Sequence, residues 1–337
     1  MKEMKKFSRI MTASVLALSL AGCGSSASST ASSGSTSDSK SSSGDSYTVG
    51  ILQYVQHPAL DSATKGFEDA LKDEFGDSIT FDEQNASGET ANCSTIANQF
   101  VTEGVDLILA NATPALQAAK AATSDIPILG TAVTDYATAL DISDWSGTVG
   151  GNVSGTSDLA PLDQQAQLFK ELLPDAKNIG ILYCSSEANS VYQADTITKY
   201  LKDEGYKVST YTFSDSNDLQ SVATTACQDS DALYIPTDNT AASNTELINN
   251  VATEAKVPII AGEAGITEGC GIATLSIDYY DLGKQTGEMA AKILKGDEDV
   301  SKMKVEYASK VTKEYVKDRC ESLGITVPDD YVEIESE

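Results

Sequence analysis

VGILQY (49–54) recurs 130 residues later as IGILYC (179–184), and the match is one of three. VDLILANATP (105–114) corresponds to SDALYIPTDNT (230–240), and IPILGTAVTD (126–135) to VPIIAGEAGI (257–266). Each half thus starts with a short apolar strand, later carries a strand ending in a Thr/Asn cluster, and then a proline-led strand running into small residues. Repetition at this scale marks two copies of one supersecondary unit. Between the strands the period changes. Phe67, Leu71 and Phe75, then Ile96, Phe100 and Val101, then Leu168, Phe169, Leu172 and Leu173 fall at helical spacing. VDLILA and IGILYC are almost continuously apolar, as expected when helices cover both faces of a parallel sheet. Strands alternating with helices imply right-handed crossovers. The expected fold is α/β: two Rossmann-like lobes with parallel sheets and a cleft between them. Lobe one covers 47–153 plus about 279–303, and lobe two 154–278 plus about 304–337, with a helix over 281–294 returning to lobe one. The hinge is expected near Val153, Leu275 and Lys304.

The first residues read as processing signals. Lys2, Lys5, Lys6 and Arg9 precede an apolar run ending in LSLAGC (18–23), a signal peptide over 1–22 too short for a membrane span. The LAGC ending resembles the lipobox of bacterial lipoproteins, which would make Cys23 the lipidated residue. One acyl chain anchors only marginally, so durable anchoring implies more than one. Residues 24–46 hold 13 serines in 23 positions, the composition of a flexible tether. The remaining 291 residues, 47–337, suffice for two domains. The chain is expected to be exported and held at the outer face of the membrane by its lipid alone.

Charge excludes another class of partner. The 337 residues carry 23 basic and 50 acidic side chains. Removing 1–22 takes away four cations and one anion, and the net charge becomes −30. Arg319 is then the only arginine, which leaves no basic footprint for nucleic acid and repels anionic lipid. Most of these carboxylates serve solubility. Cys93, Cys184, Cys227, Cys270 and Cys320 form no CxxC pair, and His57 is the sole histidine, so neither zinc nor any other metal or cofactor is expected. Free buried cysteines are expected rather than disulfides.

In open α/β sheets ligands sit beyond the carboxyl ends of the strands. That rule selects QYVQHP (53–58), NATP (111–114) and TAVTDY (131–136) in lobe one. In lobe two it selects CSSEANS (184–190), PTDNT (236–240), GEAG (262–265) and SIDYY (276–280). Thr113-Pro114 and His57-Pro58 read as helix starts with proline at the first position, and Asn189-Ser190 and Asn239-Thr240 read similarly. Exposed N–H groups at such starts suit a carboxylate where no arginine is at hand. Asp135, Asp238, Glu263 and Asp278 end apolar strands and suit an ammonium group, each charge-assisted bond being worth about 1.5–3 kcal/mol. Each could instead close an Asx turn or a helix cap. Tyr54, Tyr136, Tyr279 and Tyr280 could stack on a flat ligand or pack in the core. Together these describe a pocket for an aromatic zwitterion. No GxSxG, P-loop, HExxH or GxGxxG stands where an enzyme would need it, and a Ser-His or Cys-His pair would have to use His57. A cell-surface hydrolase built on paired carboxylates remains the alternative class.

QYVQHPALDSATKGFEDAL (53–71), NATPALQAAK (111–120), IPILGTAVTD (126–135), EANS (187–190), YIPTDNT (234–240) and IDYYDLGKQTGEMAAKILKG (277–296) resemble the ABC-transporter substrate-binding lipoproteins that include tryptophan- and tyrosine-binding members. The resemblance covers nearly all of 47–296. It implies a type I periplasmic-binding fold, a three-crossover hinge, and delivery of ligand to a membrane permease driven by an ATPase. Family pocket positions carried onto this sequence are Thr113, Thr134, Asp135, Glu187, Asn189, Ser190, Asp238, Asn239 and Asp278. Tyr54, Ala188 within the EANS run, and Glu263 complete the expected site. Some relatives carry an acidic Ser-Asp-Thr-Asp-like run where this chain has GEAG. The expected ligand is an amino acid, Trp, Tyr or Phe, with a branched-chain amino acid or a nucleoside as fallback, bound by a monomer without catalysis.

Overall fold

A computed structural model of the chain describes residues 46–335. The signal peptide, Cys23 and all but the last residue of the serine tether lie outside them. Two sheets carry the repeat. The first contains β1 (Tyr47–Gln53), β2 (Ile79–Asn85), β3 (Leu107–Asn111), β4 (Ile128–Val133) and β5 (Val153–Ser157). Helices α1 (Pro58–Phe75), α2 (Thr90–Glu103), α3 (Thr113–Ala122) and the short α4 (Tyr136–Ala139) connect these strands. The second sheet contains β6 (Asn178–Cys184), β7 (Lys207–Phe213), β8 (Ala232–Ile235), β9 (Ile259–Ala261) and β10 (Ala273–Ser276). Its helices are α5 (Leu162–Leu172), α6 (Ala188–Asp203), α7 (Ser216–Asp229), α8 (Asn239–Ala242), α9 (Thr245–Ala255) and α10 (Ala264–Cys270). The chain then forms α11 (Tyr279–Leu294), β11 (Glu306–Tyr307), β12 (Thr312–Tyr315), α12 (Lys317–Ser322) and β13 (Val332–Glu333).

The strand orders β2-β1-β3-β4-β5-β11 and β7-β6-β8-β9-β10-β12-β13 repeat the same doubly wound arrangement. Every residue of β3 is buried, as is all but the first of β6, because helices cover both faces. Two elements depart from expectation. β12 runs antiparallel to β10, so the second sheet is not wholly parallel. Its sequence, TKEY, is half-exposed and charged and carries no apolar strand signal. β5 pairs in the first sheet through Ser157, and β11 pairs with β5, so the crossovers lie at 158–161, 277–278 and 308–311. The first and third are therefore later than Val153 and Lys304. VSGTS (153–157) carries no apolar strand signal, because three of its five buried residues bear hydroxyls. Thr131, Thr156 and Thr286 hydrogen-bond one another in the interior, which removes the usual penalty for burying them.

The return helix α11 packs along α1 in lobe one. Both helices carry glycines at the contact: a Cβ on Gly66 or Gly283 would collide with the carbonyl oxygen of Tyr280 or Ala63, respectively. All five cysteines of the described residues are buried and unpaired. Among these residues, no helix is long and apolar enough to cross a membrane.

Candidate functional site

The carboxyl ends of β1, β3 and β4 face those of β6, β8 and β9. Two of the lobe-one ends are held in unfavourable backbone conformations. Ala112, between β3 and α3, has φ 86°, and Ala132, at an irregularity in β4, has φ 52°. Such conformations in alanine are uncommon and cluster at functional sites. Ala112 occupies the cap position of α3, so Thr113 begins the helix rather than capping it, with its hydroxyl buried and unpaired.

From lobe two, Glu187 is spent on its own lobe. Its carboxylate accepts the N–H groups of Asn239 (3.0 Å) and Thr240 (2.9 Å), the Asn239 amide (2.6 Å) and the Thr240 hydroxyl (2.7 Å). It therefore caps α8 from a neighbouring loop. Asp238 does the same work from the adjacent position, accepting the N–H groups of Cys184 (2.7 Å) and Ala241 (2.8 Å). Burial and the nearby Glu187 push the Asp238 carboxyl above the usual range. Glu263 caps α10 through the N–H groups of Gly265 and Ile266, and burial pushes it up to about 7.

Two side-chain bridges join the lobes. His57 Nε2, at the cap of α1, lies 3.2 Å from Asn239 Oδ1. Because the Asn239 amide nitrogen donates to Glu187, its oxygen faces the ring. Nε2 therefore carries the proton, and Nδ1 is an acceptor. Burial lowers the His57 pKa and favours this neutral ring. The second bridge runs from Gln193 Nε2 of α6 to the Thr134 hydroxyl (3.1 Å), while Gln193 Oε1 accepts from Thr237.

Between these bridges lies a cavity of about 10 Å³, room for about one water. His57, Ala132 and Leu60 line it from lobe one; Asn189, Asp238 and Glu263 are among its lobe-two walls; Asp158 and Tyr279 come from the crossover region. Three buried side-chain atoms on these walls have no partner: His57 Nδ1, Asp158 Oδ1 and Asn189 Oδ1. All three are acceptors, and no lysine or arginine lines the cavity. A larger groove of about 550 Å³ opens on the hinge side. Its walls include the exposed Asp278, Lys284, Glu288 and Lys310, whose charges water satisfies, so the small cavity is the better candidate.

The expected residues divide accordingly. Asn189, Asp238, Asn239 and Glu263 meet at the cavity; Thr134, Glu187 and Ser190 hold its walls in place; Ala188 opens α6 beside them. Thr113 is buried at the same end of β3 without lining the cavity. Tyr54 donates to the Gly88 carbonyl (2.7 Å) and lines a cleft of about 400 Å³ at the rim, bounded also by Ser186 and Thr240. Asp135 is half-buried and caps α4, away from the cavity. Asp278 is exposed, caps α11 through Asp281 N–H and faces the hinge-side groove, so it does not join the other acids. Tyr280 likewise points outward to Asp69, and Tyr136 is a core residue bonded to the Thr156 carbonyl. Asp158 and His57 line the cavity and were not among the expected site residues. A polar strand running directly into an acid before a proline would have been the signal for Asp158.

Comparison with known proteins gives a consistent picture. Residues 48–335 match the family described as ABC transporter substrate binding protein. A curated tyrosine-binding protein of Clostridioides difficile (strain R20291) is 41% identical over 304 residues, covering 88% of this chain and 86% of its own. The structure is similar to that of an ABC domain from Streptococcus pneumoniae in complex with L-Trp. That match has a TM-score of 0.81 and 36% identity, and covers 85% of this chain and 97% of the other. It is also similar to the ligand-free, open structure of a substrate-binding protein with adhesive properties from Clostridium difficile. There the TM-score is 0.66 at 38% identity, with coverage of 86% and 100%. The fold is that of type I periplasmic-binding proteins, and the chain belongs to the ABC transporter substrate-binding protein family.

Proposed function

We infer that this protein captures an amino acid, with an aromatic side chain, between its lobes, in a cleft that widens around the small cavity to hold it, and hands it unchanged to a membrane permease driven by an ATPase. The observation that carries this reading is the set of unpaired acceptors, His57 Nδ1, Asp158 Oδ1 and Asn189 Oδ1, beside two buried acids and no cation. Buried acceptors left without donors cost about 1–3 kcal/mol each, and an ammonium group brings three donors and a positive charge. The relatives that bind tyrosine and tryptophan support an aromatic side chain. The lobes superpose more closely on the L-Trp complex than on the ligand-free, open relative at similar identity, which supports reading this arrangement as the closed one. Cys23 fits a lipid anchor and residues 24–46 a tether, placing capture outside the membrane beside the permease. Caps and walls account for the acids without a carboxylate pair working on a scissile bond, so the hydrolase reading has no observation of its own.

A thermal-shift panel of amino acids, nucleosides and sugars tests the ligand class. The largest rise in midpoint is expected with Trp, Tyr or Phe, since ligand at 100 times its Kd stabilises the folded state by about 2.7 kcal/mol. A sugar or nucleoside outranking every amino acid would overturn the reading.

A further inference from the structure

We propose that Asp158, at the first crossover, is the residue that receives the ligand's ammonium group and thereby selects amino acids over their desamino analogues. This rests on the amino-acid reading above and assigns one of its contacts. Asp158 is 5% exposed. Tyr279, the first residue of α11, donates its hydroxyl to Asp158 Oδ2 at 2.9 Å. One carboxyl oxygen is thus held in place by the return helix. The other, Oδ1, is buried, unpaired and on the cavity wall.

Neighbouring groups leave that oxygen no partner of its own. The titratable side chains around Asp158 are Tyr136, Tyr279 and Glu263, with His57 on the same cavity; none is a cation in this setting. A buried carboxyl in such surroundings holds its proton more tightly than usual, and Asp158 does so because of its burial. An ammonium group placed at Oδ1 supplies both the missing donor and the missing countercharge. A neutral hydroxyl supplies only the first. The position at the crossover gives the contact a second consequence: ligand held there touches the segment about which the lobes move.

The test uses L-tryptophan and 3-(indol-3-yl)propionate, which keeps the ring and the carboxylate and lacks the amine. Calorimetry on the wild-type protein should show the desamino analogue binding about 100-fold more weakly, the size of one strong charge-assisted bond. In Asp158→Asn, L-tryptophan should weaken by about 10- to 100-fold while the analogue changes little, so the preference for the amine collapses. Circular dichroism confirms the fold of the variant, and the wild-type comparison stands without it. A variant that keeps the full preference would overturn the assignment to Asp158 while leaving the amino-acid reading intact, and wild-type protein that binds both compounds equally would overturn the assignment together with the ammonium argument behind that reading. Wild-type protein that binds no amino acid but does bind a nucleoside or sugar would overturn both.

Discussion

Gly283→Ala is expected to lower the thermal midpoint by about 10 °C, corresponding to about 3 kcal/mol or more in a chain of this size. The added methyl would overlap the Ala63 carbonyl oxygen, a backbone atom that cannot turn away. Gly66 on the facing helix has the same relation to Tyr280, so the two helices have closed to the distance that glycine alone permits. Separating them would disturb the core around Phe67 and Met289. It would also move the start of α11, where Tyr279 holds Asp158. Glu288→Ala, on the exposed face of the same helix, should change stability by no more than about 0.5 kcal/mol. Equal midpoints for Gly283→Ala and wild type would show that the close approach is not a constraint.

Glu187→Ala should destabilise the protein by about 3 kcal/mol and weaken L-tryptophan binding by at least about 10-fold. The loss reaches further than one side chain. Without the carboxylate, the first two N–H groups of α8 and the Asn239 amide lose their acceptor in a buried place. Asn239 is also the lobe-two end of the bridge to His57, so the arm that spans the cleft loses its support. Glu187→Gln keeps one carbonyl acceptor and should fall between the two. Denaturant unfolding reads the first effect and calorimetry the second. An alanine variant of undiminished stability would mean that water replaces the carboxylate without loss.

How much of this was legible follows from what each side chain does. β1, β3 and β6 are apolar on both faces, and β1 recurs as β6 130 residues later and β3 as β8 125 residues later, so the doubly wound halves could be read from hydrophobic pattern alone. The loops beyond those strands followed from a rule of the architecture, and Asn189, Asp238, Asn239 and Glu263 do meet at the cavity. The division of labour among them was hidden. Glu187 and Asn189 are two residues apart at the start of α6, yet one carboxylate is saturated by α8 and the other side chain keeps an acceptor free. Only three-dimensional hydrogen bonding separates those roles. Asp278 and Tyr280 were placed in the cleft because they follow an apolar strand. In the fold that strand is the last before a crossover, and the chain turns them toward the hinge side. Asp158 was hidden for the opposite reason: its strand is rich in hydroxyls, Thr156 pairing with Thr131 and Thr286 of neighbouring elements, so no apolar signal announced a strand end there.

The bridges His57–Asn239 and Thr134–Gln193 enclose a cavity that holds about one water, so an amino acid enters, and is then held, only with the lobes set farther apart than they stand here. Capture must then be a change between open and closed arrangements, biased by ligand because only the closed form completes the contacts. Small-angle X-ray scattering of ligand-stripped protein, with and without saturating L-tryptophan, tests this most directly. A smaller radius of gyration is expected with ligand. Superimposable curves, with binding confirmed by calorimetry in the same sample, would contradict it.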